Sequence, residues 1–123
     1  MTPQEIFNTA WEKVTAQGFR CSDAADVCIY VRDDGARCAA GHLMNEKEIA
    51  IGQDRTTRIE HLVYKDNGGT FRPFWQKYIE LISEIQRAHD NVYEWQDGTF
   101  VELFQHNMRD VAKRHRLEVP SDG

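Results

Sequence analysis

The chain has 123 residues, of which 41% are hydrophobic and 28% charged, and its formal net charge is −5. This composition excludes an intrinsically disordered chain and predicts one globular domain spanning residues 1–123, with a frayed tail from about residue 118. The negative charge disfavours nucleic acid as a partner, because the long-range field repels phosphates.

Hydropathy and cysteine usage predict a cytoplasmic protein with no membrane partner. No stretch approaches the roughly 18 consecutive apolar residues of a membrane span. Residues 1–5 lack the basic start and apolar run of a signal peptide. The three cysteines, Cys21, Cys28 and Cys38, are too few for a disulfide scaffold, so we interpret them as thiols in a reducing compartment.

The first predicted element is a helix from Thr2 to about Gly18. Thr2, Pro3 and Glu5 have the spacing of a capping box with proline at the first helical position. Apolar residues then recur at three- and four-residue intervals and form one stripe, which consists of Ile6, Phe7, Ala10, Trp11 and Val14. Gly18 suits the C-terminal cap.

A β-hairpin is predicted next along the chain. Residues 27–32 are rich in β-branched and aromatic side chains, and Asp34-Gly35 is a dipeptide typical of two-residue hairpin turns. Residues 37–40 would form the return strand. Because an isolated hairpin is marginal in water, we expect helices to cover it.

The turn length decides the register of this hairpin. A two-residue turn, which we favour, places Tyr30 opposite Ala39 and Val31 opposite Cys38, with Cys28 and Cys38 on opposite faces of the hairpin. A three-residue loop would shift the pairing by one residue and bring both cysteines to one face.

The remaining segments favour helices. Asn45 and Glu48 predict a short capped helix that ends by Gly52. Residues 57–65 favour a helix, with an extended segment left open. Longer helices are predicted from Pro73 to Ala88 and from about Thr99 to His115. The fold class is therefore predicted to be α+β, with an N-terminal helix, a β-hairpin, short helices and a C-terminal helical pair.

Metal and thiol chemistry receive weak support. Cys21, Cys28, Cys38 and His42 lack the closely spaced cysteine pair of a structural zinc site, so we predict no metal and no cofactor. Cys38 could act as a thiolate nucleophile with His42 or His89 as its base. The predicted strand position of Cys38 argues against this chemistry, and its reactivity stays open.

Polar and aromatic residues near the end of the fourth predicted helix suggest a binding surface. His89 and Asp90 form a hydrogen-bonding pair, and Trp95 follows in a loop. We predict that these three residues bind a partner together with Arg37 and His42 from the hairpin end. The alternative is that His89 bonds the last carbonyls of its helix and has a structural role.

A second candidate for ligand binding is a group of arginines around the hairpin and the middle of the chain. Arg32, Arg37, Arg55 and Arg58 could converge on an anion. The basic residues near the end of the last helix are expected to be solvated instead.

Three short motifs resemble those of a loose set of uncharacterised small proteins from bacteria and their phages. Residues 28–30 carry C-x-Y, residues 35–43 carry G-x-x-C-A-x-G-x-L, and residues 88–90 carry A-H-D. The order of elements is similar over roughly residues 1–117. The resemblance implies a phage or mobile-element accessory protein, assigns no activity, and draws attention to Cys38, Gly41, His89 and Asp90.

These observations predict a small binding or regulatory module. It would inhibit a host protein or sequester a small anionic, nucleotide-like ligand. Whether the chain is an enzyme stays open, since the usual nucleotide-hydrolysis, dinucleotide, α/β-hydrolase and zinc-protease motifs are missing. The alternatives are a small hydrolase that uses Cys38 or His89 with Asp90, and a structural subunit that self-associates into a homo-oligomer.

Overall fold

The computed structural model describes residues 1–23, 27–52, 58–66, 69–93 and 96–120. Seven helices follow one another in this part of the chain. They are α1 (Pro3–Gln17), α2 (Ala39–Leu43), α3 (Glu46–Gly52), α4 (Ile59–Tyr64), α5 (Pro73–Lys77), α6 (Ile79–Asp90) and α7 (Phe100–His115).

Helix α1 confirms the first prediction in its caps and in its buried face. The Thr2 hydroxyl accepts a hydrogen bond from the Glu5 amide at 3.1 Å, and the Glu5 carboxylate accepts one from the Thr2 amide at 2.9 Å. Gly18 closes the helix with φ of +84°, a conformation that glycine adopts without strain. The buried residues are those of the predicted stripe, Ile6, Phe7, Ala10, Trp11 and Val14.

The predicted α+β class is wrong, because the hairpin does not develop into strands. The described residues contain two isolated antiparallel bridges, Ser22 with Cys28 and Val31 with Arg37, and no sheet. The return strand ends after one pair because α2 starts at Ala39, where a strand was predicted. Cys38 is the N-cap of that helix, and its sulfur accepts a hydrogen bond from the Gly41 amide at 3.3 Å.

The turn between the bridged segments is a three-residue loop. The Arg32 amide donates to the Ala36 carbonyl at 2.8 Å, and the Gly35 amide donates to the Arg32 carbonyl at 2.9 Å. Residues 33–35 therefore form the loop, and Gly35 has φ of +91°. A loop of this length with glycine in the left-handed region is a common alternative to the two-residue turn.

The longer loop shifts the register by one residue. Val31 pairs with Arg37 instead of Cys38, and the Cys38 amide donates to the Tyr30 carbonyl at 3.1 Å. The predicted pairing of Tyr30 with Ala39 is therefore wrong as well. All three cysteines are free thiols, as predicted.

Helix α2 lies directly against the Tyr30 backbone. A Cβ atom built on Gly41 would lie 2.2 Å from the Tyr30 carbonyl oxygen, far inside van der Waals contact. Glycine at position 41 is thus what allows the helix to approach this segment so closely.

A buried carboxylate fixes the start of α3. The Asn45 side chain accepts from the Glu48 amide at 2.9 Å, which confirms the predicted cap. The Glu48 side chain is fully buried and accepts from the Arg72 amide at 2.8 Å and from the Arg72 guanidinium at 2.9 Å. These bonds join α3 to the residue that precedes α5.

The later helices agree with the predictions except at Tyr78. Residues 59–64 are helical, which confirms the favoured helix over that part of the segment, while residue 57 lies outside the described residues. Helix α7 ends at His115 as expected. The helix predicted from Pro73 to Ala88 is divided into α5 and α6, because Tyr78 has φ of −116°, outside the helical range.

Helix α6 is the central element of the core. It contacts α1, α2, α4, α5 and α7, and it buries Leu81, Ile82, Ile85 and Ala88. Among the helices that the structure describes, none combines the length and the apolar character that a bilayer crossing requires.

The contact at Gly41 yields a stability prediction. We expect Gly41→Ala to lower the free energy of unfolding by roughly 2–3 kcal/mol, because the new methyl group forces the Tyr30 backbone away. Gly52→Ala is the matched comparison, since its Cβ would meet a side-chain carbon of Tyr30 at 3.3 Å and needs a smaller adjustment. Urea denaturation measures both, and an alanine at position 41 that costs no more than one at position 52 would contradict the close approach.

Candidate functional site

His89 lies fully buried at the end of α6, with both ring nitrogens hydrogen-bonded. Its Nε2 accepts from the Cys21 amide at 3.0 Å, and its Nδ1 lies 2.7 Å from the Asp90 Oδ1. Because an amide can only donate, Nε2 must offer its lone pair, and the neutral ring then carries its proton on Nδ1. This tautomer donates to the Asp90 carboxylate.

The hydrogen bonds continue from Asp90 to helix α2. The Gln86 Nε2 donates to the Asp90 Oδ1 at 2.9 Å, and the Gln86 Oε1 accepts from the Ala40 amide at 2.7 Å. We call the side chains of Gln86, His89 and Asp90 the buried network. It connects the Cys21 segment, α6 and α2 through four hydrogen bonds in which every donor faces an acceptor.

A cleft between α4 and α6 adjoins this network. It has a volume of about 370 Å³, within the range of small-molecule sites. We call it the α4–α6 cleft. Its walls are residues 28–30, the start of α4 with the residue before it, and one face of α6. Its polar and charged lining residues include Arg58, Glu60, Ser83, Gln86, Arg87, Asp90 and Asn91.

The charged groups of this cleft differ in how they are satisfied. The Glu60 carboxylate accepts a short hydrogen bond from the Ser83 hydroxyl, and Asp90 accepts from two members of the buried network. The Arg87 guanidinium donates to the Ser83 hydroxyl at 3.1 Å. Within the described residues, neither Arg58 nor Arg87 has a carboxylate partner.

The structure places the predicted binding residues at different depths. Asp90 lines the cleft, whereas His89 is buried behind it. Arg37 and His42 are not among the lining residues, and the Arg37 amide donates instead to the Gln17 side chain at 2.9 Å. Trp95 lies outside the described residues, as does Arg55 of the arginine group.

His42 keeps a neutral ring at pH 7. Burial, together with the smaller effect of the nearby Arg37 and Lys13 charges, lowers the pKa of His42 to about 4. The Nε2 atom of His42 is buried without a hydrogen-bond partner among the described residues. The folded protein therefore favours the neutral form of this ring over the charged form.

Neither group considered for hydrolysis has the required geometry. Burial raises the pKa of the Cys38 thiol well above its ordinary value, and its sulfur caps α2. The Cys21 amide occupies the His89 nitrogen that would otherwise receive a proton. A general base needs a free lone pair within reach of its substrate, and His89 does not present one.

Cys28, His89 and Asp90 have ligand atoms that all lie within 4.8 Å of one another, the spacing of a metal site. The hydrogen bonds oppose metal binding. If Nδ1 of His89 bound a cation, its proton would move to Nε2, where it would face the Cys21 amide proton. The set therefore does not fit zinc without loss of the bond to Cys21.

Three residues of the cleft, Ser83, Arg87 and Asn91, were not predicted as binding residues from the sequence. Ser83 and Arg87 lie on α6 and Asn91 caps its C-terminus, so the three are spaced by four. This polar periodicity, beside the apolar stripe, is the signal that could have identified them. Arg58 was part of the proposed arginine group, whereas Arg87, which lines the same cleft, was not.

Comparisons with known proteins give no match. No family model matches the chain, and no curated protein or solved structure was found to be significantly similar. The resemblance to small bacterial and phage proteins therefore stays a prediction.

The buried network predicts the effect of removing its histidine. We expect His89→Ala to lower the free energy of unfolding by roughly 2–4 kcal/mol, because it creates a cavity and leaves the Cys21 amide without an acceptor. His106→Ala, at an exposed position on α7, is the control and should change stability by less than about 0.5 kcal/mol. Thermal or urea melts that give similar values for both variants would argue against the network.

The same geometry predicts no stabilisation by zinc. Adding one equivalent of zinc chloride to the chelator-treated protein should leave the melting temperature unchanged, because a bound ion would break the bond between His89 and Cys21. Differential scanning fluorimetry measures the effect. A rise in melting temperature that disappears in Cys28→Ser would show that the three side chains do bind the ion.

Proposed function

We propose that this protein is a binding module that holds a small anionic ligand in the α4–α6 cleft. The observation that carries this proposal is the pair of arginines without carboxylate partners, Arg58 and Arg87, on the two sides of one cleft. Guanidinium groups bind carboxylates and phosphates through paired hydrogen bonds, so an anionic ligand would supply what these side chains lack.

Some arginines of the chain do have a carboxylate partner. Three of them form close ion pairs, namely Arg32 with Asp34, Arg72 with Glu48 and Arg114 with Glu84. Arg58 and Arg87 differ from these three in having no carboxylate partner among the residues that the structure describes. Guanidinium groups that form no direct ion pair inside a concave, polar surface favour a site for an anion over a role in stability.

The acidic residues of the cleft are compatible with this proposal. Asp90 already accepts two hydrogen bonds from the buried network, and Glu60 accepts one from Ser83. These hydrogen bonds give both carboxylates partners other than the arginines. Because the net charge of the chain is −5, we expect little long-range attraction of anions, so affinity must come from direct contacts with the two guanidinium groups.

The proposal is tested by titrating the protein with inorganic pyrophosphate in a calorimeter at low and moderate salt. We expect Arg58→Gln and Arg87→Gln each to weaken binding by roughly 10- to 100-fold, since a hydrogen bond to a charged group contributes about 1.5–3 kcal/mol. Lys47→Gln is the control, because Lys47 is exposed on α3 and does not line the cleft.

Melting temperatures of the variants show whether each remains folded. Binding that is equally strong in the wild type and in both arginine variants would refute the assignment of the site. The absence of any pyrophosphate binding in the wild type would refute the proposed function.

A further inference from the structure

A second cleft lies beside the first one, between α6 and α7. It has a volume of about 390 Å³, and we call it the α6–α7 cleft. It shares Arg87 and Asn91 with the α4–α6 cleft. A ligand that contacts Arg87 in one cleft can therefore extend into the other without leaving the surface of α6.

The two clefts offer different chemistry. In the α6–α7 cleft, Asn107 uses its Nδ2 to donate to the Ala88 carbonyl at 3.1 Å, and Asn91 uses its Oδ1 to accept from the Tyr93 hydroxyl at 3.2 Å. Each amide keeps its other end for a ligand, so the pair offers one acceptor and one donor. The exposed carboxylate of Asp110 adds further acceptors.

The charge of the α6–α7 cleft disfavours a second anionic group. Glu84 and Asp110 both line it, and the positive charge of Arg114 is already paired with Glu84 at 2.5 Å. Its other cation, Arg87, is shared with the α4–α6 cleft and is used there by the anionic group. Carboxylate oxygens of this kind accept hydrogen bonds from hydroxyl and N–H groups, as an acidic side chain does from the ribose in dinucleotide-binding proteins. A neutral, hydrogen-bonding body fits this part of the surface.

We infer that the ligand is a phosphomonoester of a neutral polar body, which is either a sugar or a nucleoside. The inference rests on the proposed function and specifies its ligand. The phosphate contacts Arg58 and Arg87, and the body extends past Asn91 to Asn107 and Asp110 in the α6–α7 cleft. The anionic end of such a ligand matches the α4–α6 cleft, and its hydroxyl- or amide-rich end matches the α6–α7 cleft.

The test compares ligands that contain one or both parts. Calorimetric titrations use inorganic phosphate, ribose 5-phosphate, the four ribonucleoside monophosphates and uncharged adenosine. We expect at least one phosphomonoester to bind ten times more tightly than inorganic phosphate, and adenosine to bind much more weakly than its monophosphate. Equal affinity for ribose 5-phosphate and the nucleotides identifies a sugar phosphate, whereas tighter binding of one nucleotide identifies a nucleoside phosphate.

Variants assign each part of the ligand to its cleft. We expect Asp110→Ala and Asn107→Ala to remove most of the gain of the phosphomonoester over inorganic phosphate and to leave the affinity for inorganic phosphate unchanged. Arg58→Gln should weaken both ligands. His106→Ala, on α7 but outside both clefts, is the control and should change neither affinity.

Two failures can be told apart. If inorganic phosphate and pyrophosphate bind through the arginines but no phosphomonoester binds more tightly, or if the α7 variants have no effect, the extended ligand is wrong and the anion site stands. If none of the anions binds to the folded protein, the proposed function is wrong together with this inference.

Discussion

The arrangement of the central helices depends on one buried imidazole. His89 accepts a hydrogen bond from the Cys21 amide and donates one to Asp90, and Gln86 extends the network to the amide of Ala40. Each of these groups would cost about 1–3 kcal/mol if it were buried without its partner. The segment before the first bridge, α2 and the end of α6 must therefore meet in this one arrangement for all the donors to be satisfied.

The same hydrogen bonds give the α4–α6 cleft its fixed shape. Gln86 and Asp90 face the network and also line the cleft, so the positions of their polar atoms are set before any ligand arrives. A site with a rigid wall loses less conformational entropy on binding than a site built from free side chains. Arg58 and Arg87, which have no carboxylate partner in the described part of the chain, are then the groups left to adjust to a ligand.

Most helices could be predicted from the sequence because their signals are local. The capping side chains of Thr2, Asn45 and Thr99 each accept a hydrogen bond from an amide three residues further along the chain. The hairpin could not be predicted in the same way. Its strand propensity is overridden where α2 begins beside the Tyr30 backbone. This contact requires glycine at position 41, and the local sequence does not reveal it.

The candidate site shows the same division between local and distant signals. The sequence drew attention to His89 and Asp90, but spacing alone cannot show that Arg58 and Arg87 line one cleft, since the packing of α4 on α6 forms it. Within α6, however, helical geometry supplies a rule. Because Gln86 and His89 point into the protein, Arg87 and Asn91 must lie towards the exposed side. One short stretch of α6 thus provides both the hydrogen bonds that hold the core and the polar wall on which a ligand would bind.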